Sequence, residues 1–326
     1  MLKYIFRRIL YTIPIALGVY LITFVLFHLR DPIAIAKVNL PQAPLPVLQD
    51  WVRANGYHLP YFLNLPHHAK EIRADGRIHP EFAEKSIFYS RFFLGIYDLL
   101  TLNLGKDKNQ RDILKQIKER IGPSLSIMLP AFFISIFISI FISLFTLITK
   151  VWFDKAITFF SVLSMSISLP VYLLFAGWIF GEYIRIVPIY GNPLPAIIVA
   201  VVASIGGQIR FYKTVLIEQK YSMHVKAARL RGASEWYILV FHILKNASIP
   251  ILTTIVMSLP FLITGSLLLE QFFGIPGMGD MMYMAVISQD FPVIRTMVYL
   301  GAILYMIGNI LTDISYAFAD PRVRLE

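Results

Sequence analysis

The sequence predicts an all-α membrane protein with six transmembrane helices, and two observations carry that prediction. The 326-residue chain is 57% hydrophobic and only 15% charged, where soluble domains average about 45–50% apolar and about 25% charged residues. The apolar residues are also concentrated. Stretches free of Asp, Glu, Lys and Arg cover 9–29, 121–149, 156–181, 186–209, 246–269 and 296–312, and a helix needs about 20 mostly apolar residues to cross the hydrocarbon.

The first run follows Lys3, Arg7 and Arg8. It is too long for a signal peptide, and His28-Leu29-Arg30-Asp31-Pro32 offers no small-residue cleavage site, so residues 1–30 read as a retained signal-anchor helix. Residues 31–120 form the one long connection. The absence of cysteine leaves its order to packing. Phe88, Tyr89, Phe92, Phe93, Ile96, Tyr97, Leu99 and Leu100 make one helical apolar stripe, and Ile113, Leu114, Ile117 and Ile121 make another that feeds the second span. Between the spans, residues 64–86 are polar and read as an exposed insertion.

The remaining residues, 121–326, read as a five-helix core. Its fourth span begins late, because Pro188, Gly191, Asn192, Pro193 and Pro195 form a turn. The sixth run is short, but Val293, Ile294 and the stretch from Ile314 to Ala319 extend it to a tilted span of roughly 22 residues. Pro130, Pro170 and Pro260 are placed to kink their spans.

Basic residues of short connections accumulate on the cytoplasmic side. With the N-terminus inside, 14 Lys and Arg lie in cytoplasmic segments against 2, Arg185 and Arg295, outside. Both termini are therefore expected in the cytoplasm, and the long connection, which exceeds the length to which the rule applies, lies outside. The net charge of +10 mostly reflects this asymmetry. The expected surroundings are a lipid bilayer rather than nucleic acid, since no soluble domain presents a groove-sized basic patch.

The spans also exclude chemistry. Their interiors contain no His, Glu, Lys or Arg, and Asp313 is the only acid; an enzyme or a proton-coupled carrier needs titratable groups there. Asp313 reads as structural, near the cytoplasmic end of the sixth span. His67 and His68, with His58 and His79, lie in the polar part of the outer loop, and no metal site is expected there. In "FGIPGMGD" Asp280 stands where a phosphate loop needs Lys and a hydroxyl, and "LGKDK" at 104–108 also fails the Walker pattern. The chain is expected to be no enzyme and to hold no cofactor.

Small and hydroxyl residues do recur at helical spacing. Ser135, Ser139 and Ser143 read as a helix-packing stripe. Thr254, Ser258, Phe261 and Gly265 mark one face of the fifth span, read either as packing or as the lining of a translocation path. The cytoplasmic loop 210–249 holds "HVKAARLRGASEW", His224 to Trp236. Tyr221 to Arg231 can form a short helix ended by Gly232 in a left-handed cap. Ser234 can then N-cap a second helix whose Glu235 complements the dipole. Ala227 and Ala228 would offer a shallow docking surface, oriented by hydrogen bonds from Arg229 and Arg231. A basic loop attracted to anionic lipid would need the charges but not this spacing.

The spacing resembles the permease subunits of binding-protein-dependent ABC importers of the dipeptide, oligopeptide and nickel group. Their loop reads approximately A-R-A-K-G-x-S-E followed by H-x-x-x-N-x-x-x-P. Here it stands as Ala228-Arg229-Leu230-Arg231-Gly232-Ala233-Ser234-Glu235, then His242, Asn246 and Pro250. "MLKYIFRRILYTIP", "GSLLLEQFFGIPGMGDMM", "SQDFPV" and "NILTDISYAFADPRV", with Asp320-Pro321-Arg322, also resemble that group in order. Departures are Leu29-Arg30-Asp31-Pro32 for Pro-Gly-Asp-Pro, Lys226 for the Glu of the Glu-Ala-Ala loop, and His224 for the upstream Tyr.

The resemblance implies a type I importer permease fold in a bacterial inner membrane. It implies a second homologous permease, two ABC ATPase subunits and an extracytoplasmic solute-binding protein as partners. Lys226, Ala227, Ala228, Arg229, Leu230, Arg231, Gly232, Ala233, Ser234 and Glu235 would be the ATPase-coupling loop. Peptides are the implied solute, with nickel or another small solute as the alternative. A stand-alone secondary transporter would show inverted repeats and intramembrane ion ligands, and the sequence has neither.

Overall fold

The computed structural model describes all residues except 1, 29–30, 55, 65–86, 184–187 and 320–326. Most of the polar insertion, with His67, His68 and His79, therefore lies outside the described residues, as do Arg185 and Asp320-Pro321-Arg322. The described residues contain helices and turns and no strand. The helices are α1 (Leu2–His28), α2 (Pro32–Asn39), α3 (Leu45–Ala54), α4 (Arg91–Leu100), α5 (Ile113–Thr146), α6 (Val151–Ser166), α7 (Leu169–Tyr183), α8 (Pro193–Lys220), α9 (Met223–Leu230), α10 (Glu235–Thr264), α11 (Leu267–Phe273), α12 (Met278–Ile287) and α13 (Phe291–Ala319).

Five of these, α1, α5, α8, α10 and α13, are long and apolar enough to cross a membrane, and α6 with α7 makes a sixth crossing if the bent pair is one span. The protein is thus a multi-pass membrane protein. The third run differs from the continuous helix expected over 156–181, because α6 and α7 meet at 96°. Ile167 and Ser168 adopt extended backbone, and Pro170 falls in the first turn of α7, where a missing N–H is harmless. What the sequence presented as a kink is a full break.

Other helices overrun their apolar runs. Starting at Ile113, α5 is carried by the stripe that leads into the second span. The expected turn precedes α8, where Asn192 Oδ1 accepts the Leu194 N–H at 3.0 Å. This helix continues to Lys220 because its basic residues find partners: Lys213 pairs with Asp154, and Lys220 Nζ donates to the Leu147 carbonyl at 2.7 Å.

Packing divides the chain into two compact units. One comprises 1–13, 118–284 and 301–326, the other 14–117 and 285–300. The expected boundaries at 30 and 120 follow charge-free runs, whereas the units follow contacts, so they need not coincide.

In the first unit α8 is central. A Cβ at Gly206 would stand 2.8 Å from both the Ser161 carbonyl oxygen and the Ser164 Cβ, so glycine is what lets α6 approach α8. The serine stripe of α5 meets α8 on another side. Ser139 Oγ donates to Gln208 Oε1 at 3.2 Å, Gln208 Nε2 donates to Ser135 Oγ at 3.1 Å, and Ser143 Oγ donates to the Ile209 carbonyl at 3.1 Å. All three serines are buried. Within lipid, close approach and hydrogen bonds hold helices together, each bond contributing about 0.6 kcal/mol; three give about 2 kcal/mol.

The second unit is aromatic at its centre. Tyr20 and Phe24 of α1 pack with Phe92 of α4 and Tyr299 of α13, and the Tyr20 hydroxyl donates to the Phe92 carbonyl at 2.9 Å. The expected stripe starts later than Phe88, because Phe88 and Tyr89 belong to the turn that leads into α4. Asp107 organises the turn before α5, accepting from the Asn109 and Arg111 N–H groups, Arg111 Nε and Gln116 Nε2. Burial opposes its ionisation, but the Arg111 and Gln116 donors outweigh that and hold its carboxyl below the usual range.

Candidate functional site

The loop between α8 and α10 adopts the expected helix, turn and helix. Leu230 ends α9, and Gly232 follows with φ +79°, a left-handed backbone that glycine adopts without penalty. Its N–H donates to the Arg229 carbonyl at 2.9 Å. Ser234 Oγ accepts the Tyr237 N–H at 3.3 Å and caps α10, with Glu235 in the first turn.

One expectation fails in detail. Ala228 is buried, together with Val225, against Ile238, Leu239 and Ile243 of α10. Residues three apart share a helical face, so the face that fixes α9 to α10 takes Ala228 and leaves only Ala227 of the pair exposed. The outward face is instead built by Met223, Ala227 and Leu230, at i, i+4 and i+7. Met223 is 77% exposed and Leu230 90%. The sequence places Leu230 in the coupling loop only as one residue of the run 226–235 and does not single out Met223, although Leu230 interrupts a basic run and so breaks the polar pattern.

Arg229 also differs from expectation. Its Nε and Nη2 donate to the two carboxylate oxygens of Glu235, each at 3.0 Å, in a fork that spans the Gly232 turn. It braces the loop, while Lys226 and Arg231 stay exposed. The exposed fork contributes at most about 1 kcal/mol, but it fixes the angle between α9 and the start of α10. His242 and Asn246 act on the same joint. Asn246 Nδ2 contacts His224 Nε2 at 2.8 Å and donates to the His242 carbonyl at 2.8 Å. His242 lies in a π-helical turn, Ile238–Leu244, and Pro250 follows inside α10.

The four residues marked on the fifth span do not stay together. Thr254 and Ser258 line a cavity of about 290 Å³ with Gln208, Phe132, Phe211 and Tyr212. Each hydroxyl bonds back to a carbonyl one turn earlier, Thr254 to Pro250 and Ser258 to Thr254. Beyond Ser258 the chain tightens into a 3₁₀ turn, Leu259–Thr264, which rotates more per residue than an α-helix. Phe261 is exposed beside Tyr305, and Gly265 has left the helix with φ +67°. Asp313 is half-buried within α13.

Gly265 belongs to another cluster, which the sequence did not disclose. Glu270 is fully buried. Its carboxylate accepts from Ser124 Oγ at 2.8 Å and from the N–H groups of Ser266 and Asp280 at 3.2 and 3.0 Å. Ser124 Oγ in turn accepts the Met278 N–H at 2.7 Å. Gly265 and Gly277 pack directly on the carboxylate, where any Cβ would overlap it. Asp280 pairs with Arg120 at 2.8 Å. The glycine-rich "FGIPGMGD" is therefore a cradle for the chain's own carboxylate. Burial pushes the Glu270 carboxyl up, against the pull of Ser124 and the surrounding N–H donors.

Comparison with known proteins accords with this architecture. Residues 135–325, more than half of the chain, match the family described as binding-protein-dependent transport system inner membrane component. A protein of Brucella abortus (strain 2308) named as a peptide transport system permease is 29% identical over 250 residues, covering 71% of this chain and 78% of its own. The oligopeptide transport system permease protein AppB of Bacillus subtilis (strain 168) is 34% identical over 130 residues, 40% of this chain and 41% of its own. The dipeptide transport system permease protein DppB of Alkalihalophilus pseudofirmus is 24% identical over 364 residues, spanning 99% of this chain and 100% of its own.

Proposed function

We propose how this protein works from one premise: the chain belongs to the family of inner membrane components of binding-protein-dependent transport systems. It is a permease that carries peptides, in keeping with the names of its relatives. It pairs with a second homologous permease, receives solute from an extracytoplasmic binding protein, and takes its energy from two ABC ATPase subunits. Both termini and the 210–249 loop face the ATPases, as the distribution of Lys and Arg suggests.

The coupling loop runs from Lys226 to Glu235, and α9 is the part that docks. The observation that carries this reading is the outward face of Met223, Ala227 and Leu230, held rigid by the Gly232 turn and the Arg229–Glu235 fork. Burying an exposed side chain such as Leu230 in a groove yields about 1.5–3 kcal/mol. A loop held only by anionic lipid would need the charges and not a braced apolar face. ATP-driven closure of the partners can move the spans only so far as α9 is bound differently in the two states. The cavity lined by Gln208, Thr254 and Ser258 is read as part of the solute path.

The chain has no cysteine, so single cysteines introduced at Leu230 or Ser234 report without background. They are expected to crosslink to an ATPase subunit, with a yield that changes when ATP is added. Labelling of both positions by lipid-phase probes, with no ATPase adduct, would favour the lipid-bound loop.

A further inference from the structure

In α4 the charges point the wrong way for a helix in water. One face, formed by Arg91, Leu94, Gly95, Asp98 and Leu99, lines a cavity of about 380 Å³ in the second unit. Arg91 is 8% exposed, and its guanidinium carbon lies 5.2 Å from the Tyr57 ring centre and 4.7 Å from that of Tyr61. Asp98 Oδ1 accepts from Asn103 Nδ2 at 3.2 Å. The opposite face consists of Phe93, Ile96, Tyr97 and Leu100, at i, i+3, i+4 and i+7, and holds no charge. Tyr97 is 64% exposed and Leu100 78%. A helix at a water surface shows the reverse, with its apolar stripe inward and its charges outward.

The helix is also held below the edge of the spans. The Phe92 ring centre lies 5.1 Å from that of Tyr20 and 5.3 Å from that of Phe24, and a Cβ at Gly95 would overlap the Tyr20 hydroxyl, so α4 touches α1 directly. The apolar stretch with which α1 crosses the membrane is Leu10–Phe27. Tyr20 stands seven residues inward of Phe27, a depth of about 10 Å at about 1.5 Å per residue. On α13, Tyr299 stacks on Tyr20 with ring centres 5.3 Å apart. It stands four residues inward of Arg295, a depth of about 6 Å. Both depths fall inside one leaflet of a hydrocarbon core about 30 Å thick. Most of α1 over this stretch is left uncovered by the chain, Leu21 and Leu26 included, so α4 borders a surface already open to lipid.

We propose that α4 is embedded in the membrane: the connection 31–120, expected outside, returns at Arg91–Leu100 into the leaflet it borders, and acyl chains of that leaflet cover Phe93, Ile96, Tyr97 and Leu100. A helix satisfies its own backbone groups in hydrocarbon, and ten residues make about 15 Å, the depth of one leaflet. Charges are costly there unless they face the protein; Arg91 faces two tyrosine rings, and Asp98 faces the cavity that Arg295 also lines. The docking patch of a soluble partner is on average no more apolar than the surface around it, whereas this face has no polar side-chain atom besides the Tyr97 hydroxyl. The inference needs only that α1 and α13 cross the membrane and does not depend on which solute is carried.

The test uses the full chain, one copy per nanodisc of phosphatidylcholine, with a nitroxide label on a single cysteine introduced by Tyr97→Cys or Leu100→Cys; the chain has no cysteine of its own. Accessibility to oxygen, which concentrates in hydrocarbon, is compared with accessibility to a neutral nickel chelate, which stays in water. Leu26→Cys on α1 is the lipid reference and Asn109→Cys, in the turn before α5, the aqueous one; both positions are exposed. The oxygen-to-nickel ratio at 97 and at 100 should match that at 26 and exceed that at 109 several-fold. A second reading leaves α4 unaltered: a phosphatidylcholine with a photoactivated diazirine in its acyl chain should tag residues 91–100 of the parent chain. The proposal is overturned if either label gives the aqueous ratio, if neither reagent reaches the labels, or if the acyl-chain probe leaves 91–100 untagged. It is also overturned if the chelate reaches the labels until a second protein is added, which would make this face a protein-docking surface.

Discussion

Gly232→Val is expected to impair solute uptake severely while the protein inserts into the membrane at the parent's level. Nothing lies within 4 Å of a Cβ built at Gly232, so the effect is not a clash. It comes from the backbone, whose φ of +79° costs an ordinary L-residue about 1–2 kcal/mol and is an outlier for a β-branched one. Valine therefore relaxes to negative φ and turns Ser234 and Glu235 away, which undoes both the cap on α10 and the Arg229 fork. The outward face of α9 then meets its partner at the wrong angle. Uptake should fall by more than about tenfold, the equivalent of about 1.4 kcal/mol in the coupling equilibrium. Gly232→Asn, whose side chain tolerates the left-handed region, should recover much of the loss. Uptake and immunoblot together check this, and normal uptake by the valine variant would remove the loop from the coupling mechanism.

Glu270→Ala is expected to be the most destabilising of single changes in the first unit. The carboxylate satisfies the Ser266 and Asp280 N–H groups and the Ser124 hydroxyl in a space closed to water. A buried donor left without an acceptor costs about 1–3 kcal/mol, and alanine leaves a cavity besides. The sum is about 3–5 kcal/mol, or a Tm loss of roughly 5–10 °C in a chain of this size. Glu270→Gln keeps the volume and one acceptor oxygen but turns an amide toward donors, so its loss should be about half as large. Thermal unfolding of the purified protein in one fixed lipid checks the order; an alanine variant that melts with the parent would mean that the cradle does not hold this part of the fold together.

How far the sequence spoke for itself depended on the range of the interaction. Five of the six spans, the late start of α8 at Pro193 and the helix, turn and helix around Gly232 were legible, since each rests on residues within a turn or two. The break at Ile167 and Ser168 was not. Pro170 reads the same whether it bends a helix or opens a new one, and only packing decides between them. The orientation of α9 was half legible: Val225 and Ala228 repeat at three, yet alanine pairs are compatible with either face until α10 covers one of them. The path assigned to Thr254, Ser258, Phe261 and Gly265 assumed an α period that stops at Ser258.

Contacts between distant positions left no trace in the sequence. Ser124 is 146 residues from Glu270, and a lone Glu in an apolar segment looks like any residue at a membrane edge. Gln208 carried the faintest signal, a single amide in "SIGGQIR", which the structure places between the serine stripe and a cavity. Arg91 meets Tyr57 and Tyr61, 34 and 30 residues earlier in the chain, only in the folded structure.

These particulars meet in the proposal made above, that the permease changes conformation while separate ATPase subunits supply the energy. The most direct measurement is accumulation of a labelled dipeptide in proteoliposomes. Vesicles with this chain, its partner permease, two ATPase subunits and the binding protein should concentrate the peptide against its gradient only when ATP is supplied on the ATPase side. Vesicles with this chain alone should show no uphill uptake, and accumulation by them, with no other protein and no ATP, would contradict the account.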